Sequence, residues 1–223
     1  MTITYPRDMP VGGVISQSFE PRRVDFATSS VGGRMTSVTA GPPLWATSMT
    51  LRDGDEHEVA AWRAFFASLR GVQRSFLAGD LTRPYPKAYP EGFAGMSRAG
   101  GGVFDGAATS WSINTERDVV TLSGQPAELE LSIGDYVMWR WVSGGTKRRA
   151  LGRAIEPAVA SLAGVVTLAF EPPLAGLVPG SAVADLAKPE CVMKLVPEQS
   201  QIGELDALHS AAGTLVGLQD LRP

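Results

Sequence analysis

Cysteine and histidine are scarce in this sequence. The 223 residues include one cysteine, Cys191, and two histidines, His57 and His209. A lone cysteine excludes an intrachain disulfide and a cysteine-based metal cluster. His57 stands among acidic residues at a predicted helix start, where a solvated side chain is favoured over a metal ligand, and His209 has no partner motif. We therefore expect no metal site and no cofactor.

Charge and long apolar runs are scarce as well. Charged residues make up 19% of the chain, the net charge is −3, and the two signs are interspersed. Without a basic stripe, nucleic-acid binding has little support, and Lys147, Arg148 and Arg149 are interpreted as a solvated hairpin end rather than a phosphate site. No apolar run approaches the roughly 20 residues that span a bilayer, and the first residues lack signal-peptide features. These absences predict a soluble protein with no membrane partner.

The composition is sufficient for a hydrophobic core and rich in turn-forming residues. Hydrophobic residues make up 44% of the chain, and 25 glycines with 16 prolines supply tight connections. Such a composition favours many short strands. We expect a mainly β protein with one large domain or two small ones.

The first strands follow an extended arm that precedes Val14. Val24 and Phe26 alternate with polar neighbours, and Gly32-Gly33 is a two-residue turn signal, so a long hairpin is predicted. The next strand runs through Leu44–Leu51. Neither of its faces carries a charge, and we expect both to be covered.

One helix is predicted at residues 56–70. Asp53 or Asp55 can cap its start. Its apolar residues recur at helical spacing and form one stripe, and Gly71 follows where a left-handed C-terminal cap is expected. The stripe consists of Val59, Trp62, Phe65, Phe66 and Leu69.

The segment 81–104 is rich in Pro, Gly and Tyr and predicts an irregular connection to a second unit. Short strands follow, two of them joined at Gly144-Gly145, and they indicate a small barrel or sandwich. We divide the chain into residues 1–85, 86–188 and 189–223. The last strands either complete the barrel or return to the first sheet. Return is favoured, because a helix with three or four strands leaves that sheet underfilled.

The sequence offers only weak signals for a catalytic site. Nucleophile elbows, phosphate loops and zinc patterns are absent, and Cys191 has the apolar neighbours of a core residue. One enzymatic alternative is a pair of carboxylates for glycoside hydrolysis, drawn from Asp118, Glu128, Glu130 and Asp135. A second alternative is a sugar-stacking platform, although a core or interface role is favoured for the same aromatic residues. The platform would consist of Trp111, Tyr136, Trp139 and Trp141.

The order of the motifs resembles tail proteins of siphophages and related prophages. A strand ending near Gly33-Arg34 precedes PLW, then WRAFFASLRG, then RSFLAGD, as in the first half of those proteins. GDYVMWRWVSGGTKRRALGRA, FEPPL and PECVMKL look like their second half. The resemblance covers most of residues 14–220.

The resemblance implies a distal tail protein, with a belt domain akin to the tail-tube fold and an inserted barrel of oligonucleotide/oligosaccharide-binding type. Such proteins form a hexameric ring between the tail tube protein and the tail hub protein at the virion tail tip, assembled in the host cytoplasm, with DNA passing through the lumen. They are structural, so no enzyme is expected. A receptor- or carbohydrate-binding module and another tube or minor tail protein remain alternatives.

The ring needs two different patches on each subunit. Few charges favour the hairpin Val24–Val38 with its neighbouring strand as one patch, and the helix-bearing edge as the other. Lapping arms before Val14 are expected to strengthen the ring. The candidate interface residues are Val24, Phe26, Arg34, Leu44 and Trp45.

Overall fold

The computed structural model describes residues 3–29, 32–33, 35–39, 41–52, 55–203 and 212–221. Within them the chain is mainly β, with one α-helix and several sheets. The predicted fold class, a mainly β protein with one prominent helix, is confirmed. Asp53, Arg34 and His209 lie outside the described residues.

The elements fall into three groups along the chain. The first group comprises β1 (Arg7–Asp8), β2 (Val14–Arg22), β3 (Asp25–Ser29), β4 (Met35–Thr39), β5 (Leu44–Leu51), α1 (Glu56–Leu69) and β6 (Ser75–Ala78). The second comprises β7 (Ser110–Ile113), β8 (Val119–Ser123), β9 (Glu130–Leu131), β10 (Tyr136–Ser143), β11 (Thr146–Ala154), β12 (Ala158–Val159), β13 (Val165–Glu171) and β14 (Val183–Asp185). The third comprises β15 (Cys191–Leu195), a 3-10 turn (Pro197–Gln199), β16 (Gln201–Ile202) and β17 (Gly213–Gln219).

The first and third groups build one seven-stranded sheet, here called the first sheet. Its order is β1-β6-β15-β17-β5-β2, and β16 pairs with β17. β15 pairs with β6 and β17 with β5, both antiparallel, so strands on either side of the second group share one sheet. The second group is therefore an insertion between two parts of this sheet.

Helix α1 packs on the inner face of the first sheet. The Asp55 carboxylate caps it by accepting the Glu58 amide at 2.9 Å, because the first amides of a helix have no partner within it. The helix ends at Leu69, and Arg70 adopts the left-handed conformation that was expected at Gly71. Gly71 also has a positive φ.

Four of the five predicted stripe residues are buried, and Phe66 is half-buried at the margin of the stripe. The ring of Phe65 contacts Phe76 of β6 edge to face at 5.6 Å between centroids, in the middle of the first core. Helix and sheet therefore share one core.

The arm before Val14 lies on the chain's own body. β1 pairs in parallel with β6, and the Tyr5 hydroxyl donates to the Ser68 carbonyl at 2.9 Å. Trp62 Nε1 donates to the Gly12 carbonyl at 2.8 Å. These contacts hold the arm against α1 and β6 of its own chain, and the expected contact with a neighbouring copy stays a prediction.

The second group folds into a six-stranded sheet ordered β14-β10-β11-β13-β8-β7. Its two edges meet, since the Ala108 amide donates to the Ala184 carbonyl at 2.8 Å and Trp111 Nε1 donates to the Ala182 carbonyl at 2.6 Å. The sheet thus curls into a small barrel around its own core. Gly144 and Gly145 form the predicted turn between β10 and β11, with φ of 55° and 76°, which side chains disfavour.

Strand β10 separates the core of the first sheet from the core of the barrel. Tyr136 and Met138 pack into the core of the first sheet. Val137 and Trp139 pack into the core of the barrel. Strand alternation therefore sends successive side chains of one strand into different cores.

Candidate functional site

The most exposed apolar element is the hairpin of β3 and β4. Phe26 pairs with Val38 and Thr28 with Thr36, so these four side chains share one face. All five residues of each strand are exposed. Phe26 is 66% exposed and Val38 65%, in a part of the chain that joins neither of the larger sheets.

An exposed two-stranded hairpin needs further contacts to be stable. Isolated hairpins are marginal in water, and stable ones pack on a third strand or a helix. Val24 at the base of the hairpin is 60% exposed, and Met35 near the tip is 78% exposed on the face opposite to Val38. The hairpin is therefore a candidate interaction site, since exposed apolar patches are typical of such sites.

The strand β5 has one covered face and one open face. Trp45, Thr47, Met49 and Leu51 are buried, whereas Ser48 and Thr50 are exposed. The expectation that both faces are covered is therefore wrong within a single chain. The open face is uncharged, because β5 presents Leu, Ala and hydroxyl side chains there.

Two depressions lie on the first sheet, and Leu218 of β17 lines both of them. The first has a volume of about 390 Å³ and lies at the base of the hairpin, where it is also lined by Arg22, Arg23, Val24, Pro42 and Leu44. The second has a volume of about 400 Å³ and lies beside β15, where it is also lined by Val72, Lys194, Leu195, Val196 and Asp220. We call the two depressions together the Leu218 groove.

The predicted interface residues divide between surface and core. Val24 and Phe26 are exposed, and Leu44 is half-buried in the Leu218 groove. Trp45 is 0% exposed, so its inclusion in an interface is corrected. Its ring stacks on Phe19 at 5.0 Å between centroids, within the first core. Arg34 lies outside the described residues.

The proposed aromatic platform is not formed. Tyr136 and Trp139 are buried on opposite sides of β10, in different cores. Trp111 and Trp141 are partly buried against the barrel core, and Trp111 contacts Trp139 edge to face at 6.0 Å between centroids. The core role that was favoured for Trp139 is confirmed, because neighbouring strands enclose its ring.

The basic cluster lies beside acidic partners. Arg149 donates from Nε to Glu190 at 2.9 Å, and Arg140 of the paired strand donates from Nε to Asp185 at 3.1 Å. Burial raises the pKa of Glu190, against the lowering effect of Arg149. Arg140, Arg149 and the exposed Lys147 line a shallow depression of about 430 Å³. Two of these three cations, Arg140 and Arg149, are paired with carboxylates.

The candidate carboxylates either accept structural hydrogen bonds or are exposed at the surface. Asp135 is 1% exposed and accepts the amides of Ser132 at 2.7 Å and Lys87 at 2.9 Å. Asp118 accepts a hydrogen bond from the Asn114 side chain at 2.7 Å. Glu128 and Glu130 are exposed. Asp135 therefore fixes the irregular connector to the barrel, which leaves its oxygens engaged.

The remaining candidates offer little chemistry. Cys191 is fully buried, and burial raises the pKa of its thiol. His57 is exposed at the start of α1. Within the described ranges, no group of three or more His, Cys, Asp or Glu side chains is arranged to hold a metal ion.

Comparisons with known proteins leave the chain without an assigned family. No protein-family model matches it, and no curated protein matches its sequence. In the part of the chain that the structure describes, no helix has the length and apolar character needed to cross a membrane.

Sequence reasoning missed the Leu218 groove. Leu44, Leu218 and Val72 are far apart in the sequence and meet through strand pairing across the sheet. The alternation in Gly213–Gln219 was a usable signal, since it sends Val216 and Leu218 to the face opposite the buried Leu215.

Proposed function

We propose that this chain is a structural subunit of a phage tail, which assembles with copies of itself into a ring of distal-tail type. The observation that carries the proposal is the exposed hairpin, whose Phe26–Val38 pair is open to solvent and belongs to neither hydrophobic core. An assembly subunit accounts for such a face, because burial against a neighbouring copy removes it from water.

The edges of the first sheet support a patch-to-patch contact rather than a continuous sheet through the ring. At one edge β2 offers nine residues, and within the described chain it pairs with β5 alone. At the other edge β1 has two residues. Head-to-tail strand pairing needs two edges of similar length, so the hairpin is better suited to join neighbouring copies.

The resemblance supplies the partners of this ring. A distal tail protein connects the tail tube protein to the tail hub protein, at the tail tip of the virion. The low charge of the open face of β5 and the net charge of −3 suit a ring through which DNA passes without being held, because strong phosphate binding requires clustered cations. The expected assembly is a hexameric ring.

The receptor-binding alternative has less support. It relied on aromatic side chains presented together, and two of the four are buried in separate cores. Glycan binding through Trp139 would require the barrel core to open.

Native mass spectrometry and negative-stain electron microscopy of the full chain test the proposal. We expect closed rings, with a hexamer as the main species, at protein concentrations of about 100 µM, well above a micromolar dissociation constant. A chain that stays monomeric at that concentration, and that does not join rings of tail tube protein, contradicts the proposal.

A further inference from the structure

We propose that β2 of one copy of this chain pairs, through its free edge, with β4 in the hairpin of a second copy. The inference rests on the proposed function and adds to it the backbone contact that joins neighbouring subunits. It makes the edge of β2, rather than the helix-bearing edge, the second patch of the interface. Because the hairpin is a sheet of its own, the first sheets of the two copies do not merge into one.

The backbone groups at the free edge of β2 follow from its pairing with β5. Pro21 lies opposite Trp45, and neither residue gives an amide to this ladder, because Pro21 has no N–H and the Trp45 amide donates to the Gln219 side chain at 3.1 Å. Hydrogen-bonded and non-hydrogen-bonded pairs alternate in an antiparallel ladder. The amide and carbonyl groups of Gln17 and Phe19 therefore point away from β5, toward the free edge.

This free edge is protected at its two ends and open between them. A bulge between Val14 and Ser16 disrupts the start of the strand, and Pro21 lies near its end between two charged residues. Bulges, prolines and charged side chains are the features that keep edge strands from pairing. The residues from Ser16 to Phe19 carry no charge, and within the described chain β2 pairs with β5 alone. A further strand can therefore pair with this stretch.

Strand β4 has the properties of a partner for this edge. In the part of the chain that the structure describes it pairs with β3 alone, and all five of its residues are exposed. Its sequence, MTSVT, has no charge, glycine or proline and contains three β-branched residues, a composition that favours strand pairing. β3 is less suitable, because Asp25 and the preceding Arg22 and Arg23 place charges at its start.

Pairing with β2 supplies the third strand that the hairpin lacks. Two-stranded hairpins are marginal in water, and a third strand makes them stable. The open stretch of β2 is close in length to the five residues of β4, whereas β1, at the opposite edge of the first sheet, has two residues. In the paired arrangement Val38 lies beside β2 of the neighbouring copy, so part of the exposed apolar face is covered as well.

A second copy is the occupant that uses both strands. Each subunit carries the donor strand β4 and the receiving edge of β2. It therefore gives β4 to one neighbour and receives β4 of another, which is the head-to-tail contact that a closed ring requires. A partner of different sequence on β2 would leave β4 of every copy open.

Photo-cross-linking between copies tests where β4 docks. A full-length chain with benzoylphenylalanine in place of Ser37 is mixed with heavy-isotope-labelled wild type at about 100 µM and irradiated, and the linked peptides are mapped by mass spectrometry. We expect links between labelled and unlabelled chains to fall within Val14–Arg22. The same group in place of Ser110, an exposed residue of β7, is the control and is expected to give no such links.

Hydrogen exchange measures the backbone pairing itself. We expect the amides of Gln17 and Phe19 to exchange at least about tenfold more slowly in the assembled protein than in dilute monomer, because pairing gives each of them an acceptor. The amides of Ser18 and Glu20 point toward β5 in both states and are the matched control.

The outcomes separate the two proposals. Links from position 37 to β2, together with slower exchange at Gln17 and Phe19, support the pairing. Rings whose links fall outside β2, or in which these two amides exchange as they do in the monomer, overturn the pairing but leave the ring standing. Absence of any self-association overturns both.

Discussion

The indole Nε1 of Trp45 donates a hydrogen bond of 2.8 Å to the carbonyl oxygen of Leu151. Trp45 belongs to the first sheet and Leu151 to the barrel strand β11, and both residues are buried. This bond therefore joins the two parts of the chain at a place that water does not reach. Arg153, two residues further along β11, lies over the Trp45 ring at 5.6 Å from its centroid.

Replacing Trp45 by Phe removes the donor while keeping an aromatic side chain in the core. We expect Trp45→Phe to lower the free energy of unfolding by about 1–3 kcal/mol, because a buried acceptor loses its partner. Urea denaturation followed by circular dichroism measures the change. Val142→Ala, at a side chain that is 69% exposed, is the control and is expected to stay within about 0.5 kcal/mol. Equal effects of the two changes would contradict the role of the bond.

Two aromatic residues of α1 are expected to differ in their contribution to stability. Trp62 is 3% exposed, and Trp62→Ala is expected to lower the free energy of unfolding by about 3–5 kcal/mol. Phe66 is half-buried, so Phe66→Ala is expected to lower it by about 1–2 kcal/mol. Denaturant titration of both variants checks the order. A larger loss for Phe66→Ala would mean that the helix is rotated relative to the sheet.

The helix illustrates what the sequence predicts well. Its cap, its stripe and its end are local, and the structure places them within one residue of the predicted limits, from Glu56 to Leu69. Phe66 was the exception, because helical periodicity does not show where a stripe meets the edge of its partner sheet.

The aromatic residues of the barrel illustrate what a sequence leaves open. Alternation in Tyr136–Ser143 correctly separates Tyr136 from Trp139, but both faces of the first half of that strand are covered. An apolar residue that faces a second core gives the same pattern as one that faces a ligand. The difference depends on contacts with strands such as β5, which lies about 90 residues away in the chain.

Asp135 is expected to matter for stability rather than for catalysis. Its carboxylate accepts two backbone amides, and Arg83 lies 3.6 Å away. Asp135→Asn leaves one oxygen for two donors, so we expect a loss of about 1–3 kcal/mol in thermal or urea unfolding. Glu130→Gln, at an exposed side chain, provides the control. A stable Asp135→Asn variant would show that the connector does not depend on this carboxylate.

The ion pair between Glu20 and Arg153 predicts a dependence on pH. The hydrogen bond from Arg153 holds the pKa of Glu20 below its ordinary value of 4.5, and burial opposes the shift. A carboxyl group with a lowered pKa stabilises the fold above its unfolded pKa, and this stabilisation is lost as the pH falls through the folded pKa. The Glu20 side chain is 59% exposed, so the contribution is limited to below about 1 kcal/mol.

Glu20→Gln therefore tests the pair. Wild type is expected to lose more stability than this variant between about pH 5 and pH 3, whereas the difference between them stays constant from about pH 6 to pH 8. Unfolding curves at several pH values measure the difference. Parallel losses of stability in acid would assign the acid sensitivity to other groups.

The insertion of the barrel between two parts of the first sheet has a consequence for the order of folding during synthesis. The strands β7 to β14 are contiguous in the chain and close on one another, so this portion has all of its pairing partners as soon as it leaves the ribosome. The first sheet has to wait, because β5 and β6 each lack one of their two neighbours until β17 and β15 have emerged. During that interval the apolar side of α1 has only part of its sheet. The nascent chain is therefore most exposed to premature association with other chains before its last strands are made.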